Sequence, residues 1–200
     1  MPLYEGGEVQ DLIEQKGFID EAETARTIFQ LLLSLKYMHE RQISHGDLKP
    51  ENIVFETKNT SGPKSFTRLI DFGFAVDQSD ELFKSHGKET SLFGTPLYLA
   101  PEKIYNEALT ELSDIWSVGV ITYYMLAGYP PFMADSEENL FKKIKTTDFD
   151  FNNLQSEVSK EGLHFVEHML EPVVKRRMSA SQALQHPWIK KHNETPPLNE

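Results

Sequence analysis

The sequence predicts a mainly helical α+β fold, a bundle of helices around one buried central helix with a small β-hairpin. Residues 114–127 are apolar on nearly every face, which is typical of a helix buried on all sides. Apolar residues also recur at helical spacing through residues 20–39, which predicts a long amphipathic helix. Two short apolar runs, residues 53–55 and 67–70, flank a loop that contains Gly and Pro, and they predict a pair of strands.

The remaining helices are predicted from their capping residues and from periodicity. Residues 8–16 form a short helix that ends at Gly17, a usual residue just past a helix end. Asp20, with Glu23 three positions on, forms a capping box that begins the long helix. Beyond the central helix, we expect helices at residues 136–145, 160–170 and 179–186 and a flexible polar tail at residues 190–200.

Composition excludes several classes of protein. The 200 residues include no cysteine, which rules out disulfides, Cys–zinc sites and thiol catalysis. The formal net charge of −11 argues against nucleic-acid binding and suits basic peptides. No secretory signal is visible at residues 1–5, and the most apolar run, residues 115–127, is shorter than the ~20 residues that span a bilayer. We therefore expect no membrane association and an intracellular location, in the cytoplasm, the nucleus or both.

The polar loop within residues 43–55 carries the residue types that phosphoryl transfer needs. It contains Asp47, Lys49 and Asn52, and Asp71 follows the second predicted strand. One carboxylate can take a proton from a hydroxyl group, and a lysine can neutralise a phosphate. An amide oxygen and a second carboxylate can hold Mg²⁺, which prefers oxygen ligands. Catalysis of phosphoryl transfer depends mostly on such positioning and charge stabilisation.

Two other motifs suggest metal sites, but each is incomplete. Residues 164–168 spell H-x-x-E-H, a zinc-peptidase motif, but no third ligand is apparent and the segment fits an amphipathic helix. The segment that begins at Asp148 resembles the start of a calcium-binding EF-hand loop. It has Asn153 where that loop needs Gly and Ser159 where it needs Glu. Neither motif is expected to bind a metal.

The order and spacing of three motifs resemble a known family. His-Gly-Asp at residues 45–47, Asp-Phe-Gly at 71–73 and Ala-Pro-Glu at 100–102 follow one another as in the C-terminal lobe of a eukaryotic protein kinase. The resemblance covers residues 1–189. Within that family, the chain is most similar to the calcium/calmodulin-dependent group through Gly-Gly-Glu at 6–8, Gly-Tyr-Pro-Pro-Phe at 128–132 and His-Pro-Trp at 186–188.

The resemblance implies ATP-dependent phosphorylation of protein Ser or Thr residues, with ATP and Mg²⁺ as cofactors. Asp47 would accept the proton of the substrate hydroxyl, and Lys49 would neutralise charge on the transferred group. Thr95, within Gly-Thr-Pro, is similar to the serine/threonine version of the family and completes the catalytic set. Asn52 and Asp71 would hold the metal ion.

The resemblance also assigns binding and supporting residues. Residues 1–8 would form the inter-lobe hinge, and residues 71–102 would form the activation segment. Glu51 and Glu8 would meet basic residues of protein substrates, and regulation by calcium and calmodulin follows from the family alone. The nucleotide-binding residues would be Met1, Pro2, Tyr4, Glu8 and Val54. The supporting residues would be His45, Phe72, Gly73, Glu102, Asp114 and Arg177, with Glu102 paired to Arg177 and Asp114 bonded to the catalytic-loop backbone.

Several departures from the family pattern affect this interpretation. Gly46 replaces the arginine that usually pairs with an activation-loop phosphate, which suggests that phosphorylation of Thr90 or Ser91 is not needed. Val173-Val174 replaces the usual Asp-Pro, and Tyr124 stands where some relatives that prefer basic substrates carry Glu.

The sequence also contains no glycine-rich phosphate loop and no strand lysine with its partner glutamate. We therefore expect an absent N-terminal lobe and negligible kinase activity for these residues alone. Two other interpretations stay open: a non-catalytic kinase lobe that binds a partner, and a small-molecule kinase. The long activation segment disfavours the second, and the intact catalytic residues disfavour the first.

Overall fold

Helix α4 (Glu111–Ala127) forms the centre of the computed structural model, which describes residues 4–57, 66–80, 94–105, 107–151, 154 and 158–193. The side chains of Ile115, Val118 and Ile121 in α4 are completely buried. The helix begins one turn before the predicted residue 114, because the Thr110 N–H donates to Ser113 Oγ at 3.3 Å and caps a polar first turn.

The end of α4 requires glycine. Gly128 adopts a positive φ of 78°, and a Cβ atom there would lie 2.0 Å from the Gly17 carbonyl oxygen. The backbone that follows helix α1 (Val9–Lys16) therefore crosses directly over the end of the central helix. Only a residue without a side chain allows this approach.

Helix α2 (Glu21–His39) packs against α4 and the last two helices of the described chain. Asp20 Oδ1 accepts the Glu23 N–H at 2.9 Å, which is one half of the predicted capping box. The other half is absent, because the Glu23 carboxylate instead accepts from Lys16 Nζ at 2.6 Å. This ion pair connects α1 to the start of α2.

The other helices lie close to their predicted positions. Serine side chains cap three of them: Ser136 accepts from the Asn139 N–H, Ser159 from that of Gly162, and Ser179 from that of Gln182. The helices are α1 (Val9–Lys16), α3 (Pro101–Ile104), α5 (Glu137–Thr146), α6 (Lys160–Met169), α7 (Ala180–Leu184) and α8 (Pro187–Asn193), with 3₁₀ turns at Pro50–Asn52, Pro96–Tyr98 and Val174–Arg176.

The final helix corrects the prediction of a flexible tail from residue 190. Helix α8 continues to Asn193, whose Nδ2 donates to the Ala25 carbonyl of α2 at 3.4 Å. Trp188 and Ile189 are completely buried, and Trp188 Nε1 donates to Glu21 Oε1 at 2.6 Å. The two apolar residues at the start of α8 fix its orientation, so its polar C-terminal half is ordered with them. Residues 194–200 lie outside the described residues.

Two antiparallel strand pairs flank the polar loop. Strands β2 (Ile53–Phe55) and β3 (Thr67–Leu69) form the predicted hairpin, with Ile53 opposite Leu69. Most of their connecting loop lies outside the described residues. The second pair, β1 (Ile43–Ser44) with β4 (Val76–Asp77), was not predicted from sequence. Both of its strands have two residues, which is too short for a periodic pattern.

None of the helices that the structure describes is both long enough and apolar enough to cross a membrane. The apolar length of α4 is used instead for packing at the centre of the helical bundle.

Three histidines form a cluster between α6 and α8. The structure adds His186 to the pair His164 and His168: its Nε2 lies 2.9 Å from His164 Nδ1, and the rings of His164 and His168 stack at 3.9 Å. The Trp188 N–H donates to His186 Nδ1, so His186 Nε2 carries the hydrogen that His164 accepts. Among the described residues, no group of three or more His, Asp or Glu side chains is arranged to hold a metal.

This cluster predicts a loss of stability in mild acid. Burial, and then the charges of His164 and His168, lower the pKa of His186 to about 4. An unfolded histidine titrates near ~6.5, so the unfolded chain binds more protons as pH falls from 6.5 towards 4. The free energy of unfolding should therefore fall by about 2 kcal/mol between pH 7 and pH 5 through His186 alone. Nearby Glu161 opposes this effect.

Denaturant titrations of the wild type and His186→Asn at both pH values measure this contribution. The variant should lose stability at pH 7 but show a flatter pH dependence. Equal pH dependence in the two proteins would contradict the assignment of the effect to His186.

Candidate active site

Asp47 lies at the centre of the polar loop between β1 and β2, with its carboxylate held in place. It is only 6 % exposed. Its Oδ1 accepts the Thr95 N–H at 2.9 Å and the Thr95 hydroxyl at 3.0 Å. Its Oδ2 lies 3.3 Å from Lys49 Nζ. These contacts fix the orientation of the carboxylate.

Lys49 contacts both Asp47 and Thr95. Its Nζ lies 3.4 Å from the Thr95 hydroxyl, in addition to the ion pair with Asp47. The structure therefore brings together the three residues that the sequence predicts to be catalytic. Thr95 lies 46 positions beyond Lys49 and 48 beyond Asp47 in the chain, and here it contacts both residues.

Asn52 and Asp71 lie at the same end of the β2–β3 hairpin. Asn52 immediately precedes β2, and the Ile70 N–H donates to its carbonyl at 2.9 Å, so Asp71 follows directly. Asn52 Nδ2 donates to the Asp47 carbonyl at 2.8 Å, which leaves Oδ1 for another partner. Asp71 is exposed, and its Oδ1 accepts the Gly73 N–H at 3.2 Å.

The chemistry of these donors fits a hard cation. An amide oxygen and a carboxylate lie on neighbouring chain segments, and each side chain has an oxygen that accepts no hydrogen bond from the described residues. Asp71 also has a positive φ of 58°, an uncommon conformation for a residue with a side chain. Strained backbone of this kind occurs often at functional sites.

Asp114, from the first turn of α4, holds the backbone of the loop. Its Oδ2 accepts the His45 N–H at 2.9 Å, and its Oδ1 accepts the Gly46 N–H at 3.0 Å. His39 Nε2 lies 2.9 Å from the same Oδ2. The sequence predicts the backbone contacts of Asp114 but not His39, which was treated only as the end of α2.

The His45 ring connects the loop to the Asp71 segment. Its Nδ1 accepts the Asp47 N–H at 3.4 Å, so its Nε2 donates to the Ile70 carbonyl at 3.1 Å. The Phe72 ring lies 5.2 Å from the His45 ring but remains 53 % exposed. Phe72 was expected to be a packing residue, and in the described structure it packs on one side only.

Two glycines allow the chain to come close to Asp47. Gly46 has a φ of 83°, and a Cβ there would lie 2.6 Å from the Phe74 carbonyl oxygen. Gly94 has a φ of 110°, and its Cβ would lie 3.2 Å from the Gly46 carbonyl oxygen. Any side chain at position 46 would require the backbone to move. The sequence identified Gly46 only as a replacement for arginine, and the role of Gly94 was missed.

Glu8 and Val54 meet at the edge of the hairpin. They form a bridge between the segment before α1 and β2. Burial raises the pKa of Glu8, and the negative charges of Asp11, Glu51 and Glu14 raise it further. Glu8 therefore lies in a strongly acidic environment. Tyr4 is partly exposed, while Met1 and Pro2 lie outside the described residues.

Glu51 is the second acidic residue expected to meet a basic substrate. Its Oε2 is sealed from solvent and has no hydrogen-bond partner among the described residues. Burial, and then the charges of Glu51 and Tyr124, raise the pKa of Tyr98. Tyr124 also accepts from Gln10 Nε2 at 3.3 Å, so α1 reaches the central helix at this point.

Glu102 and Arg177 form a buried ion pair with two hydrogen bonds. Arg177 Nη1 donates to Glu102 Oε1 at 2.7 Å, and Nη2 donates to Oε2 at 2.9 Å. Ser113 donates to the same carboxylate, and the Leu112 carbonyl accepts from Arg177. The structure thus brings together the pair that the sequence predicts, with nearly all of its polar groups satisfied.

The chain is similar to known proteins over most of its length. The family model described as protein kinase domain matches residues 1–189. A probable myosin light chain kinase of Dictyostelium discoideum is 40 % identical over 98 % of the chain and 62 % of its own length. Death-associated protein kinase 2 of mouse and that of human are each 37 % identical over 94 % of the chain. The chain spans half the length of these two relatives.

Proposed function

Because the chain belongs to the protein kinase family, and to its calcium/calmodulin-dependent-like group, we propose that the full-length protein transfers phosphate from ATP to Ser or Thr residues of protein substrates. One observation carries this proposal: the Asp47 carboxylate is fixed by Thr95 and lies beside Lys49. Asp47 and Lys49 thus provide a base and a cation at one position.

The chain's own residues divide the reaction between them. Asp47 Oδ1 is occupied by Thr95, so Oδ2 is the oxygen that would accept the proton of a substrate hydroxyl. Lys49 would neutralise charge on the transferred phosphoryl group, and its Nζ lies 3.3 Å from Oδ2. Thr95 holds the Asp47 carboxylate and the Lys49 ammonium in fixed relative positions, which supports catalysis by positioning.

The donor atoms of Asn52 and Asp71 fit Mg²⁺ as a nucleotide-bound ion. When bound, MgATP supplies the phosphoryl group and neutralises part of its charge. Asn52 Oδ1 and the second carboxylate oxygen of Asp71 would hold the metal. Glu8, Val54 and Tyr4 would contact the nucleotide, together with Met1 and Pro2.

A preference for basic protein substrates is supported by the acidic residues near α1. Glu8 and Glu51 would pair with basic side chains, and Asp11 and Glu14 add negative charge. Tyr124, in place of an acidic residue, supplies no further charge there. Regulation by calcium and calmodulin and an intracellular location, in the cytoplasm or nucleus, belong to the same proposal.

A peptide phosphorylation assay tests the function. The full-length protein, with ATP and Mg²⁺, should phosphorylate a basic peptide that contains one serine, and EDTA should abolish the signal. The 200 residues alone should show negligible transfer, because they contain no glycine-rich loop or strand lysine to clamp the phosphates. No transfer by the full-length protein would favour a non-catalytic binding module. Ordinary activity of the 200 residues would contradict the requirement for those missing parts.

The geometry at Gly46 motivates a second expectation. A residue without a side chain cannot pair with a phosphate on the activation loop. In the same assay, the full-length variant Thr90→Ala/Ser91→Ala should keep its activity to within about threefold of the wild type. Near-complete loss in that variant alone would show that the loop requires phosphorylation after all.

A further inference from the structure

Gln78, which directly follows β4, joins two other segments of the chain through its side-chain amide. With the amide oriented so that each atom meets a complementary group, Oε1 accepts the Ser44 hydroxyl at 2.6 Å and the Glu111 N–H at 3.1 Å. Nε2 donates to Glu111 Oε2 at 3.2 Å. The Gln78 N–H also donates to the Gln42 carbonyl at 2.8 Å. Gln78 therefore connects β4 both to β1 and to the start of α4.

Both donors that Gln78 receives need a partner from outside their own segment. Glu111 is the first residue of α4, and the first N–H groups of an α-helix have no partner within the helix. Ser44 is completely buried, so its hydroxyl requires a hydrogen bond within the protein. Loss of the Gln78 amide would leave the hydroxyl and the N–H without this acceptor, which is unfavourable.

The partners of Gln78 adjoin the catalytic loop. Ser44 directly precedes the loop backbone that donates two N–H groups to Asp114. Glu111 lies one turn before Asp114 in α4. Gln78 thus closes a ring of contacts that connects β4, the backbone just before Asp47, and the first turn of the central helix. A shift of β4 would be transmitted to both sides of that loop.

The start of the activation segment lies against the same loop. A Cβ atom at Gly46 would lie 2.6 Å from the carbonyl oxygen of Phe74, which is four positions before Gln78. Gly46 has no side chain with which to hold this segment. Contacts made by the segment itself hold it, through the pairing of β4 with β1 and through the Gln78 amide.

We propose that Gln78 is a positioning residue, which fastens the start of the activation segment to the catalytic loop and to α4 without a phosphate group. Its effect on rate rests on the proposed function, whereas its effect on local order rests on the hydrogen bonds alone. A neutral amide suits this place because it offers an acceptor to two donors and a donor to the Glu111 carboxylate. A carboxylate at position 78 would face a second carboxylate.

Gln78→Glu in the full-length protein tests the proposal, because it keeps the size of the side chain and replaces the Nε2 donor with a negative oxygen. It should lower kcat for the basic serine peptide by about tenfold and change KM by less than about twofold. The exchanged pair Gln78→Glu/Glu111→Gln again places a donor opposite an acceptor, so its kcat should return to within about twofold of the wild type. The proteins are assayed before and after phosphatase treatment, and the wild type should keep its activity.

Amide hydrogen exchange followed by mass spectrometry gives a readout that needs no kinase activity. Gln78→Glu should speed the exchange of residues 42–47 and 76–80, and the exchanged pair should restore the wild-type rates. Gln78→Met removes the hydrogen bonds without adding a charge. It replaces Gln78→Glu in both measurements if that variant does not fold, and its kcat should fall by at least about threefold.

The matched control is Gln185→Glu, the same chemical change at an exposed position at the end of α7. Its kcat and exchange rates should stay within about twofold of the wild type. Three results would overturn the proposal: a kcat for the Gln78 variant within about twofold of the wild type, no recovery in the exchanged pair, or loss of wild-type activity after phosphatase treatment. If the untreated wild type transfers no phosphate, the proposed function fails. Hydrogen exchange then decides this inference separately, and unchanged rates in Gln78→Glu would overturn it.

Discussion

Asp47→Asn in the full-length protein is expected to lower kcat for peptide phosphorylation by about 10³-fold, with little change in KM. The asparagine side chain keeps an oxygen that can accept from the Thr95 N–H and hydroxyl, so the loop geometry should survive. The asparagine lacks the carboxylate oxygen Oδ2, which faces Lys49 and would accept the substrate proton. Steady-state kinetics with the basic serine peptide measures the effect.

The matched control for Asp47→Asn is Asp135→Asn, which makes the same chemical change on an exposed loop. It should retain the wild-type kcat to within about twofold. A circular dichroism melt should show that both variants are folded. If Asp47→Asn kept a tenth or more of the wild-type kcat, Asp47 would not be the base of the reaction.

Arg177→Met is expected to lower the free energy of unfolding by about 3–5 kcal/mol. The arginine makes both hydrogen bonds to Glu102 and also donates to the Leu112 and Glu171 carbonyls. Its removal leaves a buried carboxylate whose remaining hydrogen bond, among the described residues, is the one that Ser113 donates. For a chain of this size, the Tm should fall by about 10 °C, measured by calorimetry.

A double-mutant cycle separates the free energy contributed by the Glu102–Arg177 ion pair from the free energy lost when the arginine side chain no longer packs. Glu102→Gln/Arg177→Met should be clearly more stable than the sum of the two single variants predicts, because no unpaired charge remains. The exposed pair of Arg68 and Glu56 provides the control, and Arg68→Met should cost less than about 1 kcal/mol. Additive effects at Glu102 and Arg177 would show that the ion pair contributes no coupling.

The sequence predicts the parts of the site that depend on local spacing. Asp47, Lys49 and Asn52 lie within six residues, so their offsets alone identify the loop. The long helices are also predictable, because apolar periodicity and serine caps are local features. The predicted start of α4 was later than the observed one only because the polar first turn of this helix carries no apolar signal.

What the sequence did not predict arises from contacts between distant segments. Strands β1 and β4 are two residues each, and only their pairing across the fold defines them. His186 joins His164 through the packing of α8 on α6. His39 reaches Asp114 across 75 positions, and neither residue's neighbours indicate the contact. Such contacts depend on tertiary packing, which local patterns do not encode.

The burial of α8 against α2 has a consequence for the synthesis of the chain. Trp188 donates to Glu21, and Asn193 donates to Ala25, so these contacts join segments 167 and 168 positions apart. During translation, the start of α2 therefore emerges 167 residues before Trp188. The part of its apolar surface that α8 covers stays exposed until Trp188 and Ile189 leave the ribosome. Chaperones that bind exposed apolar surface can act on the nascent chain during that interval.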